Sequence, residues 1–142
     1  MKIKIAKTLL SATLYLCAMS GYASGYVQHD NFITIHVKNQ TAHGPKIVRL
    51  EVIGDKIIRV QSTNESVLKP KQSLIIVPQN AKPQFKVIEN GGNVIVATSR
   101  VKAFVEENTG RITFKDAKGK TILGESSVGG KTFTPYIVPE RE

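Results

Sequence analysis

From residue 26 onward, apolar and polar side chains alternate in short runs, and turn-forming residues separate the runs. Phe32 to Lys38 reads F-I-T-I-H-V-K, which puts Ile33, Ile35 and Val37 on one face of a strand. Val48, Leu50 and Val52 share a face in the next run. Gly54-Asp55 then turns the chain, and Ile57 to Val60 returns, which is the pattern of a hairpin. Leu74 to Val77 forms a further apolar run closed by Pro78. Phe85 to Ile88 and Val94 to Ala97 flank the turn Asn90-Gly91-Gly92. Val101 to Val105 leads through Asn108-Thr109-Gly110 to Arg111 to Phe114, and Asp116 to Gly119 separates that run from Thr121 to Leu123. No stretch after the first 25 residues has the period of a helix. Short strands at nearly regular spacing, joined by tight turns, predict an all-β fold, an antiparallel β-sandwich. Phe85, Phe104 and Phe114 fall within these runs and are expected in its core.

The first 25 residues follow a different rule. Lys2, Lys4 and Lys7 precede an apolar run from Thr8 to Met19, and small residues cluster at Gly21, Ala23, Ser24 and Gly25. That order predicts a secretory signal peptide over residues 1–25, cleaved after Ala23 or Gly25. The run falls short of the ~20 apolar residues that a membrane span requires, so no span is expected once the leader is removed. The protein is therefore expected outside the cytoplasm, periplasmic or extracellular. Cys17 is the only cysteine. It follows Tyr15-Leu16 rather than small residues, which weakens a lipid-anchored alternative. With the leader gone no disulfide is available, and residues 26–142 must be held by one hydrophobic core.

Charge narrows the partners further. Removing the three leader lysines takes the formal net charge from +9 to +6. The remaining bases are scattered and form no block of five, so nucleic acid is not an expected partner.

The residues that could carry chemistry form no recognisable site. His29, His36 and His43 recur every seven residues, an interval that alternates faces on a strand and cannot aim all three at one ion. Glu106 and Glu107 are the only adjacent acids. Glycoside hydrolysis requires two carboxyl groups facing each other ~5–9.5 Å apart, whereas neighbours on a strand point to opposite sides. Both are expected as solvated charges beside the Asn108-Thr109-Gly110 turn. No Gly-x-Ser-x-Gly elbow occurs, and Gly91-Gly92 and Gly129-Gly130 lack the strand-to-helix setting of a phosphate loop. The sequence therefore assigns no catalytic, cofactor-binding or metal-binding residue, and no cofactor is expected. Two polar stretches remain as candidate functional loops, Gln61 to Ser73 and the glycine-rich Glu125 to Thr132.

One family matches the order of these elements. The run I-V-R-L-E-V-I-G-D-K-I-I-R-V (Ile47 to Val60) resembles the opening hairpin of the N-terminal domain of glycoside hydrolase family 31. So do F-K-V-I-E-N-G-G-N-V-I-V-A-T (Phe85 to Thr98) and V-K-A-F-V-E-E-N-T-G-R-I-T-F-K-D-A-K-G-K-T-I-L-G-E (Val101 to Glu125), while G-G-K-T-F-T-P (Gly129 to Pro135) is similar to the segment leading towards the barrel. The resemblance implies a galactose-mutarotase-like β-sandwich over residues 26–142, in front of a catalytic α/β barrel that lies outside this sequence. It implies a retaining α-glucosidase or α-xylosidase whose two catalytic aspartates are on that barrel, so none transfers to this chain. The expected partners are the barrel and, through it, a carbohydrate substrate. Two rival readings are a self-contained exported module that binds carbohydrate or protein through an open sheet edge, and an independent enzyme centred on the three histidines.

Overall fold

The computed structural model describes residues 25–69, 82–128 and 130–137. The predicted leader, apart from Gly25, and the Leu74 to Val77 run lie outside the described residues. Nine strands form two antiparallel sheets, and among the described residues no helix occurs. The first sheet is a meander of β1 (Tyr26–Gln28), β2 (Phe32–His36), β3 (Ile47–Gly54) and β4 (Ile57–Thr63). The second is a meander of β5 (Lys86–Asn90), β6 (Asn93–Ala97), β7 (Val101–Glu106), β8 (Ile112–Asp116) and β9 (Thr121–Gly124).

The core sits between the sheets and follows the alternation of each strand. Ile33 and Ile35 of β2 lie opposite Leu50 and Val48 of β3, and all four are fully buried. From the other sheet, Val94 and Val96 of β6 lie opposite Val105 and Ala103 of β7, and Ile112 extends the row to β8. These residues form one cluster, against which Phe85 and Phe114 pack. Apolar faces of two sheets must cover each other to leave water, and each fully buried aliphatic side chain contributes about 1.5–3 kcal/mol.

The sequence expectations are corrected at four points. Phe104 is not core: with Ala103 and Val105 turned inward, the strand period puts it on the outer face, where its ring lies beneath Lys115 Nζ at 4.6 Å. Gln61 to Thr63 belongs to β4 rather than to a loop, because Gln61, Ser62 and Thr63 pair with Arg49, Val48 and Ile47. Strand β1 has no counterpart in the sequence reading. Glu107 is the fourth correction: it is 6% exposed rather than solvated.

Candidate functional site

The loops converge at one end of the sandwich. After β2 the chain crosses towards the second sheet, where Lys38 N and Asn39 N donate to Glu107 O and Asn108 O at 2.8 and 3.0 Å. Gly110 closes the β7–β8 turn with φ +71°, its N–H donating to Glu106 O at 2.8 Å. The stretch after β9 returns to the same end, where Phe133 N donates to His43 O at 2.8 Å. Between these segments lies a pocket of about 500 Å³, walled by Asn39, His43, Glu106, Arg111, Glu125 and Lys131 among others. The candidate loop Glu125 to Thr132 thus supplies one wall. Of the other, Gln61 to Ser73, only residues up to 69 are described, and none lines this pocket.

Each acid at this end is engaged by a cation. Glu106 accepts from Arg111 Nε at 2.9 Å and from Thr109 Oγ1 at 2.8 Å, and Arg111 Nη2 reaches the same carboxylate. Glu125 accepts from Ile112 N at 2.9 Å and from Lys131 Nζ, which also donates to Gly110 O. Glu107 is turned to the opposite side and forms an ion pair with Lys38. The sequence marks Glu125 only as the start of a candidate loop, because its partners, Ile112 and Lys131, meet it only in the folded chain.

The hydrogen bond from Arg111 holds the Glu106 carboxyl below its ordinary range, against the opposing effect of burial. A general acid for glycoside cleavage needs the reverse, a carboxyl kept protonated near neutral pH. Because the folded state lowers this pKa, the ion pair stabilises the protein above the ordinary glutamate range. That contribution is lost as pH falls through the lowered value. Urea unfolding between pH 3 and 7 is expected to show a smaller acid-side loss in Glu106→Gln than in the parent. Equal pH slopes would show that the pair carries no linkage.

The three histidines are placed apart in role. His29 stacks on Phe32 with ring centroids 4.3 Å apart, His36 ends β2 opposite Ile47, and His43 lines the pocket. Among the described residues no group of three or more His, Cys, Asp or Glu side chains is gathered as metal ligands would be. What this end of the sandwich does chemically is neutralise its own charges, tying the β7–β8 turn to the segments on either side.

No protein-family model matches the sequence. Solved structures do match the fold. The α-xylosidase of glycoside hydrolase family 31 from Xanthomonas citri is 30% identical with a TM-score of 0.61, over 74% of this chain and 12% of that one. A family 31 α-xylosidase from a soil metagenome, solved with xylose, is similar in fold at 20% identity, with a TM-score of 0.55. That match covers 84% of this chain and 18% of that one. The chain therefore spans less than a fifth of either enzyme it resembles.

Proposed function

We propose that this sandwich is a non-catalytic accessory domain of a glycosidase, the N-terminal domain of a glycoside hydrolase family 31 enzyme, a reading supported by its match to a small part of two α-xylosidases of that family. In this reading it packs on the catalytic barrel of a longer, exported α-xylosidase or α-glucosidase and helps shape the substrate entrance. The observation that carries it is the asymmetry of the match to the Xanthomonas citri enzyme. About three quarters of this chain is accounted for by 12% of that protein, at 30% identity. The site chemistry supports the same reading, since Glu106, Glu107 and Glu125 are each occupied by a structural cation.

The rival reading, a free-standing sugar-binding module, draws little support from the aromatic side chains. Sugar faces stack on flat exposed rings. Among the described residues Tyr136, at 81%, is the one aromatic side chain that is largely exposed. Two tests address the proposal. The chain on its own is expected to release no p-nitrophenol from p-nitrophenyl α-xyloside or α-glucoside above the buffer rate. It is also expected to bind neither xylose nor glucose by calorimetry. Turnover by the purified chain, abolished by Glu106→Gln or Glu125→Gln, would overturn the non-catalytic reading.

A further inference from the structure

The outer face of the second sheet is not an ordinary solvated surface. One cross-strand row runs Ile88, Ile95, Phe104 and Thr113. Ile95 lies in this outward row yet is only 8% exposed, flanked by Phe104 and by Ile88, which is 48% exposed. The adjacent row runs Lys86, Ala97, Lys102, Lys115 and Thr121. Lys102 and Lys115 are direct cross-strand partners, an arrangement in which like charges destabilise a sheet. Among the described residues no carboxylate forms an ion pair with Lys86, Lys102 or Lys115. The acids of the pocket end are committed elsewhere, so the basic row is left without a carboxylate partner, and Lys115 rests instead on the Phe104 ring.

We propose that this face is a docking surface for an acidic protein surface with an apolar centre, and that the catalytic barrel presents that surface. The assignment rests on the accessory-domain reading and adds to it the face used and the charge of its counterpart. An apolar row beside a basic row that lacks carboxylate partners fits a partner in which carboxylates flank a hydrophobic ridge. Such a partner would relieve the lysine repulsion and cover Ile88 and Phe104 together. The chain's own segment 70–81 is a poorer occupant. It offers Leu74 to Val77 but no acid, and it brings Lys71.

The test is acetylation footprinting of lysines, read by mass spectrometry, on this chain alone and on the longer protein that continues into a barrel. Lys86, Lys102 and Lys115 are expected to react severalfold more slowly in the longer protein, with Lys56 in the β3–β4 turn unchanged. Lys102→Glu supplies an independent arm that leaves Lys115 on the Phe104 ring. It replaces a like-charge pair by an opposite-charge pair, so it is expected to raise the melting midpoint of the chain alone. In the longer protein it is expected to restore the reactivity of Lys86. Equal reactivity in both proteins, with the barrel folded and active, would overturn this face while leaving the accessory role intact. Slow reaction already in the chain alone would mean that its own residues cover the face. Protection of the chain by phosphatidylglycerol vesicles, without protection by the barrel, would make the counterpart a lipid surface. Either result overturns the proposal. Absence of any barrel in the longer protein would remove the accessory reading itself.

Discussion

Gly110→Ala is expected to destabilise the domain by roughly 2–5 kcal/mol, the combined effect of a strained backbone and an overfilled contact. Gly110 has φ +71°, where an L side chain meets its own carbonyl. A Cβ there would also lie 2.9 Å from Val37 Cγ2, 3.0 Å from Val48 Cγ2 and 3.2 Å from Pro45 Cγ. Val37, which follows β2, and Val48 of β3 are buried core residues, so they have no room to move away. Gly119 provides the control. Its φ is +90°, but nothing lies within 4 Å of its Cβ position, so alanine there incurs the backbone strain alone. Urea unfolding of the two variants separates the contributions. Equal losses would show that the β7–β8 turn does not press on the core.

Leu50→Ala is the second large effect, a loss of about 2–5 kcal/mol from removing methyl groups that the surrounding core cannot replace. Leu50 is fully buried in the central strand pair, opposite Ile33 on one side and Val60 on the other. For a small domain whose whole stability is about 5–15 kcal/mol, that is a large share. Phe104→Ala, which removes a larger ring from the outer face, is expected to cost clearly less. Thermal melts of both variants check the ranking, and the reverse order would place Phe104 in the core after all.

The contrast between Leu50 and Phe104 marks how far the sequence could be read. Strand alternation is a local signal, and it placed Ile33, Ile35, Val37, Val48, Leu50 and Val52 correctly because those residues alternate with polar ones. In Val101 to Val105 both faces carry apolar or long side chains, so type alone could not say which faces inward. Ala103 and Val105 do, because β6 and β8 present Val96 and Ile112 on that side. Strand β1 was missed because only Tyr26 to Gln28 pairs, directly after a stretch read as a leader. Glu107 was misplaced for a tertiary reason: the segment after β2 lies across it and brings Lys38. The basic row was invisible for the same reason. Lys102 and Lys115 are thirteen residues apart in a chain whose bases look scattered, and only the antiparallel register sets them side by side.

The pocket end was half legible. The glycine-rich stretch from Glu125 reads as a candidate loop, and it does form a wall of the pocket. Its role as a clamp was not legible, because the bonds from Lys131 to Gly110 and Glu125 join residues with no periodic or motif relation.

Whether the sandwich serves a catalytic barrel is decided by the reading frame that follows codon 142 in the source DNA. The frame is expected to run on into a barrel-sized coding segment, and the resulting protein to cleave an α-xyloside or α-glucoside that this chain leaves intact. A stop codon at that point, with no barrel encoded beside it, would leave a free-standing module and sink the accessory role.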